Sequence, residues 1–148
     1  MAEAILSSKG KERFEAASAG SQPAPRVHPF ALRTLRDFKI PWSGHAPRSV
    51  DGLQRQHWDF VITVCDRAKE ACPIFPGQPV LAHWGMPDPA AVEGDEATKR
   101  NAFREAFLLL SRRVDLLVAL PFEHLEQLAL EASVQAIAAR TVAHPQHS

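Results

Sequence analysis

The apolar positions of this chain follow two different periods. Between residues 95 and 119, Phe103, Phe107, Leu110, Val114 and Leu117 recur at alternating four- and three-residue steps, which predicts one long helix with a single buried face. Pro121 interrupts that pattern, and FEHLEQLALEASVQAIAA predicts a second amphipathic helix presenting Phe122, Leu125, Leu128, Ala132 and Ile137. HPFALRTLRDF places Phe30, Leu32, Leu35 and Phe38 near the same period. MAEAILSSKGKER is rich in helix formers and ends at a Gly-containing polar turn, yet no Ser, Thr, Asp or Asn precedes it to cap its leading N–H groups. FVITVC and QPVLAHW instead read as apolar, partly β-branched runs, the pattern of strands buried on both faces of a parallel sheet. FEAASAG predicts a third short strand, SVDGLQRQ a weaker helical piece, and TVAHPQHS a disordered tail. Helices alternating with short apolar strands predict an α/β fold with a parallel sheet covered on both sides.

Composition narrows the class. A chain of 148 residues with 45% apolar content is the size of one ordinary domain. Lys plus Arg equals Asp plus Glu at 17 each, so no broad basic field exists to hold a nucleic acid or an anionic membrane. The richest apolar run, LLLSRRVDLLVAL, is broken by Arg112, Arg113 and Asp115, well short of a membrane span. A cytoplasmic protein is expected, and two cysteines in such a chain are more often redox-active, catalytic or simply buried than a structural bridge.

Those cysteines, Cys65 and Cys72, lie in VITVCDRAKEACPIFPG. If the link DRAKEA is helical, seven steps of about 1.5 Å separate the two Cα atoms by roughly 10 Å. A disulfide needs about 7 Å or less, so oxidation of the pair requires the segment to unwind. Spacing alone leaves open a small buried hydrophobe at Cys65 with an incidental thiol at Cys72. Zinc is a poor fit, because C-x6-C is not a usual ligand spacing and no His pair completes four ligands. Asp88, between two prolines in GMPDPA, sits in a rigid loop after a predicted strand, where it is either a turn-shaping carboxylate or a general acid. The seven histidines form no metal or triad motif, with His28 and His45 expected in loops, and no nucleotide-binding motif occurs.

Taken in order, MAEAIL, SAG at 18–20, VHPFAL at 27–32, PWSGH at 41–45, VITVCDRAKEACPIFPG and HWGMPDPAAVEG resemble the low-molecular-weight tyrosine phosphatase superfamily, and within it the thiol-linked arsenate reductases. The resemblance runs from Met1 to about Arg113. It implies a phosphotyrosine phosphatase I-like three-layer α/β sandwich over residues 1–113, a helical extension at 114–140 and a tail at 141–148.

The resemblance also implies a chemistry, with no cofactor. A cysteine in an anion-binding loop attacks arsenate, and Asp88 protonates the departing oxygen. Cys65 then attacks the arsenylated cysteine and releases arsenite. Cys72 attacks Cys65, leaving a Cys65–Cys72 disulfide for a thioredoxin-like or low-molecular-weight thiol reductant. Glu3 and Ser18 match family positions near a structural cation, for which this sequence supports no assignment.

The family pattern C-x-G-N-S-x-R-S-x-M-A-E-A places the nucleophile and oxyanion cradle just before the methionine at which this chain starts. Truncation is the favoured explanation over loss of the loop. The implied strand order, 2-1-3-4, then predicts a vacant strand position between FEAASA and FVITVC and a chain unstable alone. Two further functions stay in view. A tyrosine phosphatase is disfavoured by Ala90 and Ala91 beside the Asp-Pro and by the absence of any tyrosine, and the other is a non-catalytic, redox or partner-binding protein.

Overall fold

The computed structural model describes residues 1–11, 13–20, 26–42, 44–50, 53, 55–64, 75–77, 79–121 and 127–141. Cys65 and Cys72 lie outside them, as do Phe122, Leu125 and residues 142–148 of the tail. Six elements carry the fold: α1 (Ala2–Lys9), α2 (Pro29–Asp37), β1 (Phe60–Thr63), β2 (Val80–His83), α3 (Glu96–Val118) and α4 (Gln127–Arg140). The strands pair in parallel, with Phe60 opposite Val80 and Thr63 opposite His83.

Local chemistry sets the helix ends. Met1 offers α1 no side-chain cap, as the sequence predicts. His28, in the loop before the helix as expected, is also the N-cap of α2, its Nδ1 accepting from Phe30 N–H at 3.1 Å, with Pro29 at the first helical position where no N–H is needed. At the other end of α2, Lys39 is left-handed with φ of 59°. Lys39 N–H donates to Arg36 C=O and Ile40 N–H to Leu35 C=O, a Schellman closure in which Ile40 also packs on the cluster containing Leu35. Asp95 caps α3 by accepting from Thr98 N–H at 2.8 Å, and these bonds hold its carboxyl below the usual range.

The helical period of α3 is borne out: Phe103, Phe107, Leu110, Val114 and Leu117 are all buried. Phe107, Leu110 and Val114 join Ala4, Ile5 and Leu35 in one cluster, while Leu117 joins Val80, Ala82, Trp84, Val134 and Ile137 in a second. Each large aliphatic side chain buried here contributes about 1.5–3 kcal/mol of transfer free energy.

Three expectations are corrected. FEAASAG forms no strand; Gly20 makes only an isolated parallel bridge to Ser49. Its small, polar residues offer little side-chain surface to hold them in a sheet. The strands are not buried on both faces. Val80 and Ala82 face α3 and α4, whereas Leu81 is 57% exposed and all four β1 residues are half-buried, so β2 alternates and neither strand is enclosed on both faces. The inward face of α4 is Leu130, Val134, Ile137 and, just past its end, Thr141, rather than one through Ala132, which is exposed. Steps of 4, 3 and 4 track the 3.6 period. Of SVDGLQRQ, the described part makes turns, with Leu53 N–H on Val50 C=O and Gln56 N–H on Leu53 C=O.

Candidate functional site

The C-terminal ends of β1 and β2 lie side by side, and there the described residues converge. Backbone pairing continues past the strands, because Trp84 N–H donates to Thr63 C=O at 2.7 Å and Met86 N–H to Val64 C=O at 3.2 Å. Thr63 Oγ1 and His83 Nδ1 meet at 2.6 Å on the same edge. Val64 is the residue before Cys65 and Met86 is two before Asp88, so the path into the cysteine segment and the acidic loop are hydrogen-bonded to each other.

Asp88 is extended, as the residue before a proline must be, and one carboxyl oxygen accepts from Ala90 N–H at 2.9 Å to start the short turn Pro89–Ala91. The second oxygen remains open to an incoming group, since the residue is exposed. This geometry serves the turn-shaping and the acid reading alike.

Beneath the loop lies a feature that the sequence reading treated only as an interruption. Arg113, 2% exposed, donates through Nη1 to Trp84 C=O at 2.8 Å and to Gly85 C=O at 3.3 Å, through Nε to Thr141 Oγ1 at 2.9 Å and through Nη2 to Thr141 C=O at 3.2 Å. All four acceptors are neutral. Burial lowers the guanidinium's affinity for its proton from the ordinary value, and among the described residues these directed dipoles are what stabilises its charge. Thr141, expected in a disordered tail, is buried and donates onward to Ile137 C=O at 2.6 Å. An arginine inside an apolar helical stripe was the available signal.

A second cluster gathers at the start of the chain. The Glu3 side chain is almost fully buried, with one oxygen accepting from Ser18 N–H at 2.7 Å and Ser18 Oγ at 2.9 Å, and the other 2.7 Å from His45 Nε2. Arg48 lies 3.8 Å away. Burial alone would raise the carboxyl, but the bonds from His45 and Ser18 outweigh it and hold Glu3 below the usual carboxylate range. The Nδ1 of His45 faces Ala46 C=O at 2.9 Å, and that bond together with Glu3 raises the imidazole above its ordinary value, against the opposing charge of Arg48. His45, expected to be an ordinary loop residue, therefore ties loop 44–49 to α1. With Met1, Ser18, His28, Leu35 and Trp42 it lines a cleft of about 250 Å³. Among the described residues no group of three His, Cys, Asp or Glu side chains is disposed to hold a metal ion, and no helix is long and apolar enough to cross a membrane.

Comparison with known proteins fits this arrangement. The model of the low molecular weight phosphotyrosine protein phosphatase family matches residues 1–134. The chain is similar to the arsenate reductase of Halalkalibacterium halodurans, 30% identical over 103 residues that cover 70% of this chain and 73% of that protein. It is 32% identical over 94 residues to the arsenate reductase of Oceanobacillus iheyensis, covering 64% and 67% of the two chains. Against the arsenate reductase of Staphylococcus xylosus the identity is 34% over 70 residues, covering 47% of this chain and about half, 53%, of that one.

Proposed function

The chain belongs to the low molecular weight phosphotyrosine protein phosphatase family, and from that premise we propose that it works as an arsenate reductase, passing two electrons from thiols to arsenate. The observation that carries this is the Met86–Val64 hydrogen bond, which sets the Asp88 loop beside the entry to the Cys65 segment. Similarity to proteins named arsenate reductase supports the substrate.

In this scheme the first nucleophilic thiol comes from outside these 148 residues, whose two cysteines both lie in the segment after β1. That thiolate bonds to arsenic, and Asp88 gives its proton to the departing oxygen, which leaves as water. The thiolate of Cys65 then attacks the arsenylated sulfur. The S–As bond breaks with its electron pair on arsenic, so arsenic(V) becomes arsenic(III) and leaves as arsenite while a disulfide forms. Cys72 attacks the Cys65 sulfur and frees the first thiolate. A dithiol protein or two small thiols reduce the resulting Cys65–Cys72 disulfide. A phosphotyrosine substrate is less well served, because Ala90 and Ala91 place only methyl groups beside Asp88 where an aromatic ring would need a stacking partner.

The test is arsenate-dependent thiol oxidation with cysteine mapping. It is run on the 148-residue chain and on the same chain preceded by a C-x-G-N-S-x-R-S segment. The extended protein is expected to release arsenite and accumulate the Cys65–Cys72 disulfide, and the shorter one to match its Cys65→Ser variant. An extended protein that hydrolyses phosphotyrosine and leaves arsenate untouched would overturn the proposal.

A further inference from the structure

Away from both clusters, a groove of about 480 Å³ runs between α2 and α3. Arg33 of α2 and Arg100 and Arg104 of α3 line it, with Asp37 as the one carboxylate and Phe30 and Phe38 contributing apolar edges. The three arginines are exposed and, among the described residues, make no ion pair or side-chain hydrogen bond; Asp37 neutralises none of them. This concentration of positive charge is local, because the chain as a whole carries formal net charge +0.

The groove is built by helical spacing on both sides. Phe30, Arg33 and Asp37 follow the 3-and-4 rhythm on the face of α2 next to the one that buries Ala31 and Leu35. Arg100 and Arg104 are one turn apart on α3, about 5–6 Å between Cβ atoms. The groove floor is rigid, since Phe38 stacks on buried Phe107 at 4.2 Å and Phe30 meets buried Phe103 edge-on at 6.0 Å.

We infer that this groove binds an acidic peptide segment of a partner protein, carboxylates meeting Arg33, Arg100 and Arg104 while an apolar side chain rests on Phe30 and Phe38. Guanidinium groups grip carboxylates in pairs of parallel hydrogen bonds, a geometry that lysines could not supply. Spacing favours a peptide over a single small anion. From Phe30 to Phe38 the helix rises about 12 Å, which three or four extended residues at roughly 3.3 Å each would span. One tetrahedral oxyanion would engage one end of the groove and leave its apolar edges to water.

The probe is a short fluorescein-labelled peptide alternating glutamate and leucine, followed by fluorescence anisotropy on the 148-residue chain. Binding is expected to fall about tenfold in the triple variant Arg33→Gln, Arg100→Gln, Arg104→Gln, and to weaken as salt rises from about 50 to about 300 mM. Asp37→Asn is expected to tighten it, a gain that damage to the fold could not produce. Arg55→Gln, exposed and outside the groove, should leave it unchanged. An equal loss in the Arg55 variant, no gain in the Asp37 variant, or complete competition by inorganic phosphate at equal concentration would overturn the inference.

Discussion

Gln135 grips the backbone of His83 on both sides. Its Oε1 accepts from His83 N–H at 2.9 Å and its Nε2 donates to His83 C=O at 3.3 Å. Because Val80 and Trp84 send their N–H groups to β1, the groups of His83 point to the other edge of β2, and the Gln135 amide stands in for the next strand there. A side chain on α4 thus satisfies the outward backbone groups of His83.

Gln135→Ala should therefore cost about 1–2 kcal/mol, two partly exposed hydrogen bonds at about 0.5–1 kcal/mol each. Amide exchange at His83 should accelerate more than elsewhere in β2. Gln135→Glu keeps the acceptor for His83 N–H but loses the donor and sets an oxygen against His83 C=O, so part of the stability should be lost while exchange at His83 stays slower than in the alanine variant. Unchanged exchange at His83 in the alanine variant would show the contact to be incidental.

Arg113→Met keeps much of the side-chain volume but strands Trp84 C=O and Thr141 C=O inside the protein. At about 1–3 kcal/mol for each of the two buried acceptors left without a donor, a loss of about 2–6 kcal/mol is expected, a large part of a typical 5–15. Arg113→Lys, with one nitrogen in place of three, should recover only part of it. Denaturant unfolding of the three proteins gives the order arginine, lysine, methionine if directed hydrogen bonds matter, and near equality if only packing does.

What the sequence made legible follows from how local each signal is. The stripe Phe103 to Leu117 could be read at once because helical period and burial share one cause. Asp88 could be read because two flanking prolines restrict its backbone. The Gln135–His83 and Arg113–Thr141 contacts could not, since they join residues 52 and 28 positions apart through chain geometry that no local pattern encodes. The alternating burial of β2 was hidden for a related reason: the apolar run PVLA satisfies either one covered face or two.

Lys39 holds a left-handed conformation for which glycine is better suited. Lys39→Gly should remove a strain of about 1–2 kcal/mol while giving back roughly half of it in unfolded-chain entropy, a net gain of about 0.5–1 kcal/mol. Lys39→Ala should show no such gain, which separates backbone relief from removal of a charge. Thermal unfolding of both variants measures the difference.

Asp88→Asn separates the two uses of that side chain. An asparagine oxygen still accepts from Ala90 N–H, so the turn and the stability should be retained within about 0.5 kcal/mol. It cannot give up a proton, so if Asp88 is the acid the arsenylation step of the extended protein should slow by about 10²-fold or more. The loss should appear in kcat rather than KM. An unaltered rate would return Asp88 to turn-shaping alone.

The Glu3–His45 tie should make stability depend on pH in two opposite directions. His45 is raised above its ordinary 6.5 in the folded protein, so its contribution is fully present below pH 6.5 and is lost as the pH climbs through the folded value. Glu3 is lowered below its ordinary 4.5, so its contribution is present above pH 4.5 and is lost as the pH falls through the folded value. The tie is complete between those limits. His45→Gln keeps a donor toward Glu3 but cannot titrate. It should flatten the alkaline limb of a Tm-against-pH curve above pH 6.5 while leaving the acid limb in place. Glu3→Gln should flatten the acid limb and only shrink the alkaline one, because the Ala46 carbonyl, the larger cause of the raised imidazole, still holds its proton. Other histidines contribute the same background to all three curves, whereas the Met1 amine, lowered by burial and partly held up by Glu3, changes with Glu3→Gln, so His45→Gln gives the cleaner reading of the pair. An alkaline limb that survives His45→Gln unchanged would mean that loop 44–49 is held to α1 by Ser18, Arg48 and packing, with the imidazolium adding nothing.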